Sequence, residues 1–238
     1  MDIKIAFILS VVLCLVFTTI FIFVRSKGAS VYSVLTKSIA SFCFIMCFLI
    51  SMTYTTLTNT AFICILAGLV CGLIGDILLE AKVIYTKDED LYLKGGFVSF
   101  GVGHIFYTIV LILLAINLNI DLLVPVLVAI GLGAVMTVGT YYSSTKLMKQ
   151  DFGKNTAITL VYTFMLLFIT IFAIALAIMN TMFISFAIGL IFFLVSDLIL
   201  SMQYFGGKAN NNTLQILNHS TYYLAQILIA STVFIQLL

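Results

Sequence analysis

The sequence predicts an all-α polytopic membrane protein of eight transmembrane helices, and three observations carry the prediction. Of the 238 residues, 63% are hydrophobic and 8% charged, and the mean hydropathy is +1.26. Soluble domains carry about 25% charged residues, so this chain has too little polar surface to coat itself in water. Its apolar residues form runs of about 20, the length that crosses a bilayer as a helix. Its basic residues recur at every second break between those runs.

Breaks in hydrophobicity place the spans, in order, at Ile3 to Val24, Tyr32 to Met52, Thr60 to Leu79, Phe97 to Ile116, Leu122 to Tyr142, Thr156 to Met179, Met182 to Tyr204 and Leu214 to Leu238. The first run is longer than the apolar region of a signal peptide, and no A-x-A-like cleavage site follows it. Each run is expected to be helical, because a lipid-facing segment has to satisfy its own backbone hydrogen bonds and none shows the alternation of a barrel strand. The loops are short, so residues 1–238 read as a single integral membrane domain. Arg25, Lys27 and Lys37 lie at the first loop, Lys82, Lys87 and Lys94 at the third, Lys146, Lys149 and Lys154 at the fifth, and Lys208 at the seventh, leaving only Lys4 apart. Such an excess marks the cytoplasmic side of a cell membrane, which puts both termini outside. The cysteines, Cys14, Cys43, Cys47, Cys64 and Cys71, sit inside apolar runs with no C-x-x-C pair. They predict neither a disulfide framework nor a thiolate metal site.

The chain echoes itself at about half its length. Gly75-Asp76-Ile77-Leu78-Leu79 resembles Ser196-Asp197-Leu198-Ile199-Leu200, and Gly103-His104 with Tyr107 resembles Asn218-His219 with Tyr222. Two four-helix halves of like orientation would produce that pattern.

A charged side chain at membrane depth costs about 2.5–3.5 kcal/mol on insertion scales, so Asp76, His104, Asp197 and His219 each need a reason to be there. Counting about 1.5 Å per helical residue from the flanking lysines puts all four in the cytoplasmic half of the bilayer, which predicts one shared polar chamber. Helical periodicity extends its lining. Gly68 and Gly72 share a face with Asp76, as a packing surface or an acyl-chain groove; Gly101, Tyr107 and Thr108 share one with His104. Phe193, Ser196 and Ser201 cluster with Asp197, and Gln215, Tyr222 and Gln226 form a polar stripe with His219. Lys37 offers a cation at headgroup depth. The plainer alternatives are packing for the glycines and for Tyr222-Tyr223, helix bridging for the histidines, and buried Asp–His or Asp–Lys pairs that hold the bundle together.

Two carboxyl groups facing one low-dielectric chamber do not both ionise easily, so one acid and one base are expected at one site. That combination suits a reaction in which a substrate is protonated and a cation stabilised, as in glycoside hydrolysis. The sequence holds no G-x-S-x-G elbow and no H-E-x-x-H. Spacing leaves open a zinc site built from the two His and two Asp.

Gly75-Asp76-x-x-Leu79, Gly103-His104-x-x-Tyr107 in an aromatic run beginning at Phe97, Ser196-Asp197-x-x-Leu200 and Tyr222-Tyr223-Leu224-Ala225-Gln226, taken in order on an eight-helix background, resemble the YhhN-like lysoplasmalogenase family of integral membrane proteins. Lys37 resembles that family's lysine in the second helix, with Ser38 where proline commonly follows. The resemblance implies hydrolysis of the vinyl ether bond of lysoplasmalogens to a fatty aldehyde and glycerophosphoethanolamine or glycerophosphocholine, with no cofactor. It implies Asp76, Asp197 and His104 as catalytic residues and Lys37, Tyr107, Ser196, Tyr222, Tyr223 and Gln226 as substrate-binding ones. One aspartate would be the general acid and the other would stabilise the cation and activate water; His104 and Tyr107 would orient the acid or the water, and Lys37 would meet the phosphate. The expected partners are the lipid bilayer and a lysophospholipid substrate, and no nucleic acid. Two alternatives stand beside this reading: a proton-coupled transporter or channel with the aspartates as relay sites, and a metal-dependent intramembrane lipid amidase.

Overall fold

The structure, a computed structural model, describes residues 3–52, 59–209 and 211–235. These form eight α-helices and no strand: α1 (Ile3–Ser26), α2 (Val31–Met52), α3 (Asn59–Ile84), α4 (Glu89–Asn117), α5 (Leu123–Tyr142), α6 (Thr156–Met179), α7 (Ile184–Phe205) and α8 (Asn212–Ile235). Seven of them are long and apolar enough to cross a membrane. The eighth, α8, has length enough at 24 residues, but it carries the polar stripe of Asn218, His219 and Gln226, all of which it buries against its neighbours.

Expected and observed ends differ most at α3 and α4. The third span was expected to stop at Leu79 and the fourth to start at Phe97, whereas α3 runs to Ile84 and α4 begins at Glu89. Hydropathy falls where charged residues begin, but the backbone ladder continues through them. The salt bridge from Asp90 to Lys94, 2.8 Å long and spaced i, i+4, decorates that extra turn of α4. Elsewhere the ends agree within about two residues, and Gln236 to Leu238 of the eighth expected span lie outside the described residues. Local chemistry sets several of these limits. Pro125 falls in the first turn of α5, where a missing N–H costs nothing. Asn211 Oδ1 accepts from Leu214 N at 3.0 Å, capping α8. Past the end of α7, Gly207 takes a φ of +66°, which a side chain would strain.

Consecutive helices pack as antiparallel hairpins: α1 with α2, α3 with α4, α5 with α6, α7 with α8. Part of the remaining packing repeats at four helices, since α2 against α3 is matched by α6 against α7, and α2 against α8 by α6 against α4, whereas α1 packs on α8 without such a counterpart among the described residues. The loops that carry basic residues meet at one end of the bundle. Arg25 reaches Glu80 at 2.9 Å, Lys154 reaches Asp90 at 3.3 Å, and Asp151 N donates to Phe205 O at 2.9 Å. This basic end holds the polar chemistry of the molecule.

Candidate active site

Two helix stripes meet face to face near the basic end. On α2, Ser33, Lys37 and Ser41 recur every four residues; on α3, Gly72, Asp76 and Glu80 do the same. The stripes run antiparallel, so the hydroxyl and ammonium groups of one fall opposite the carboxylates of the other. Ser33 Oγ donates to Glu80 Oε1 at 2.7 Å, and Arg25 Nε lies 2.9 Å from the same oxygen. Lys37 Nζ lies 4.0 Å from Glu80 Oε2 and 3.3 Å from Asp76 Oδ1. Asp76 Oδ2 accepts from Ser41 Oγ at 2.6 Å and from Tyr222 OH on α8 at 2.7 Å. Two cations and two anions therefore alternate inward from Arg25 through Glu80 and Lys37 to Asp76, and every Asp76 oxygen is engaged.

Asp197 on α7 is set differently. It accepts a hydrogen bond from Tyr162 OH of α6, and among the described residues no Lys, Arg or His nitrogen lies within 4.0 Å of it. Its side chain is part-buried and lines a narrow cavity of about 70 Å³ walled by Phe97, Phe100, Leu166 and Leu194. Ser41 precedes Asp76, and Tyr162 precedes Asp197, by the same interval of 35 residues. Each carboxyl group thus has its own hydroxyl donor from the preceding even-numbered helix, but among the described residues only Asp76 has a cation within 4.0 Å.

The four ionisable groups expected in one chamber occupy separate settings. Asp76 is enclosed by its donors, Asp197 faces the apolar cavity, and His219 lines a polar cavity at the basic end with its ring 4.7 Å from that of Phe21. His104 is buried with both ring nitrogens unpartnered among the described residues, so it orients neither carboxyl by a hydrogen bond. Aromatic rings fill the space between. From Tyr222 to Phe193 the centroids are 5.5 Å apart, from Phe193 to His104 5.0 Å, and from His104 to Tyr162 5.7 Å. This chain of rings runs from the donor of one aspartate to the donor of the other.

The other residues singled out in the sequence divide into two groups. Tyr222 reaches Asp76 directly, with Gln226 Nε2 donating to its hydroxyl at 3.0 Å. Tyr107 OH donates to Gln226 Oε1 at 3.4 Å, and Tyr223 OH lies 3.0 Å from Ser41 Oγ. Ser196, in contrast, bridges α7 to α8, receiving Asn218 Nδ2 on its carbonyl at 2.7 Å and its hydroxyl at 3.1 Å. Lys37 turns inward to Asp76 instead of offering its charge at headgroup depth, because two buried carboxylates lie on that side. The glycine face of α3 is packing and not an open groove: a Cβ at Gly68 would stand 2.3 Å from the Tyr107 ring, and one at Gly75 would stand 2.6 Å from Phe100.

Ser41, Glu80, Arg25 and Tyr162 were not singled out as site residues in the sequence. Ser41 lies one turn beyond Lys37, and the shared 35-residue interval would have connected it with Tyr162. No three His, Cys, Asp or Glu side chains converge as a metal-ligand set among the described residues, so the donors an amidase would need are not assembled there.

No curated protein matches this chain, and no solved structure does. The YhhN family model matches residues 32–233. That span includes the Lys37–Asp76 pair, the Tyr162–Asp197 pair, α2 from its second residue and all of α3 through α7, and this integral membrane protein belongs to the YhhN family.

Proposed function

We propose that this YhhN-family membrane protein hydrolyses the vinyl ether bond of lysoplasmalogens. The unequal setting of its two aspartates carries the reading. Asp76 accepts two hydroxyl donors and an ammonium, which favour a fixed anion. Asp197 faces a mostly apolar cavity with one hydroxyl donor and, among the described residues, no cation within 4.0 Å, a setting that favours the neutral acid and leaves it a proton to deliver.

Hydrolysis of a vinyl ether begins with protonation of carbon. Asp197 gives its proton to the alkenyl carbon one removed from the ether carbon; the π pair forms the new C–H bond, and an oxygen lone pair closes the oxocarbenium ion. The Asp197 carboxylate left behind faces that cation. Water attacks the cation and gives its proton to Asp197, which is restored as the acid. The hemiacetal then collapses: its hydroxyl proton passes to the glycerol oxygen, the C–O bond breaks, and aldehyde leaves. One water is consumed. Phe97, Phe100, Leu166 and Leu194 give the vinyl ether an apolar wall beside Asp197, and the excess of basic residues favours a cytoplasmic basic end.

The test is aldehyde and glycerophospho-headgroup release in equal amounts by the purified protein from alkenyl lysophospholipid, with saturated alkyl lysophospholipid left intact. A well-folded protein that releases no aldehyde across several headgroups would overturn the reading and favour transport.

A further inference from the structure

A second cavity, of about 500 Å³, opens at the basic end between α1, α3, α7 and α8, within the size range of small-ligand sites. Arg25, Lys27 and Lys82 line it. Arg25 is already drawn to Glu80, but neither Lys27 nor Lys82 has a carboxylate oxygen within 4.0 Å among the described residues. Both ammonium groups rest on rings instead, Lys27 at 4.1 Å from the Phe23 centroid and Lys82 at 4.0 Å from that of Tyr204. A cation held over a ring keeps its N–H donors free on the other side.

Two further features point to a ligand. Gln215, only 6% exposed, lines the same cavity, and its Oε1 has no hydrogen-bond partner among the described residues. Its Nε2 is spent on Ala209 O at 2.8 Å, which fixes the free oxygen as an acceptor. Leu200 and Tyr204 line both this cavity and the narrow one that holds Asp197, so the two meet across those two side chains.

We propose that this cavity is a phosphate site for a zwitterionic lysophospholipid headgroup. Lys27 and Lys82 take the phosphate oxygens, Gln215 Oε1 and the carboxylate of Glu89, which lines the cavity from the start of α4, take the headgroup ammonium, and the glycerol crosses beside Tyr204 toward Asp197. The assignment rests on the lipid-substrate reading above and adds to it where the polar half of the molecule binds.

The test needs no turnover. The full-length protein in detergent is titrated calorimetrically with 1-O-hexadecyl-glycero-3-phosphoethanolamine, whose saturated ether cannot react, with 1-O-hexadecylglycerol, and with inorganic phosphate. The wild type should prefer the phospholipid to the alkylglycerol by roughly tenfold or more, the scale of a charge-assisted contact. Lys27→Gln with Lys82→Gln should abolish that preference while leaving alkylglycerol binding unchanged. Equal binding of the two lipids by wild type, or a preference that survives both substitutions, would overturn the site. Tight binding of inorganic phosphate with the same lysine dependence would uphold the phosphate chemistry and overturn its assignment to a lipid. A lysine-dependent preference in a protein that releases no aldehyde would uphold the site while the hydrolase reading fell.

Discussion

The ammonium of Lys37 lies 3.3 Å from Oδ1 of Asp76, and the two side chains are 5% and 3% exposed. The pair is therefore an almost fully buried ion pair whose remaining lone pairs are met by Ser41 and Tyr222. Removing one member of such a pair leaves the other charge stranded, at a cost of about 3–5 kcal/mol. Lys37→Met is accordingly expected to lower thermal stability in detergent sharply. Combining it with Asp76→Asn should recover much of the loss, because the stranded charge is removed. A single variant as stable as wild type would show that the pair does not hold the bundle.

Tyr162 is the hydroxyl donor to Asp197. Tyr162→Phe keeps the ring and removes only that hydrogen bond, so the fold should persist while kcat falls by roughly tenfold with little change in KM. An unchanged kcat would remove Tyr162 from any role in positioning the acid.

The glycine face of α3 gives a graded test of packing. A Cβ at Gly68 would meet Tyr107 at 2.3 Å, whereas at Gly131 on α5 nothing lies within 4 Å. Gly68→Ala should therefore cost about 1–3 kcal/mol, and Gly131→Ala should be neutral or stabilising by up to about 1 kcal/mol. Thermal unfolding of the two variants side by side checks the difference, and equal shifts would contradict it.

The spans were legible because hydropathy reports burial in lipid directly. The true ends of α3 and α4 were not, because a helix can continue through Lys82 and Glu89 where hydropathy stops. Asp76 and Asp197 stood out because a carboxyl group in an apolar run is costly. Their hydroxyl donors, Ser41 and Tyr162, did not, because a hydroxyl inside a membrane helix is cheap and can bond to its own backbone. The direction of Lys37 was hidden as well, since its long stem can reach outward to headgroups or inward to a carboxylate. Both cavities lie between helices far apart in sequence, and only the packing of α7 against its neighbours brings Tyr204 to their junction.

A reaction run by carboxyl groups alone requires no metal. Aldehyde release should therefore survive exhaustive treatment with a chelator, and the rate after chelation should match that before it. Loss of activity restored by added zinc would contradict carboxyl catalysis and favour the amidase chemistry.

Protonation of carbon by Asp197 is tested by hydrolysing lysoplasmalogen in heavy water with the aldehyde trapped as it forms. An acid in exchange with solvent delivers deuterium, so one deuterium is expected on the carbon next to the aldehyde group, and no product from a well-folded Asp197→Asn protein. Aldehyde without deuterium at that carbon, or undiminished release by Asp197→Asn, would contradict it.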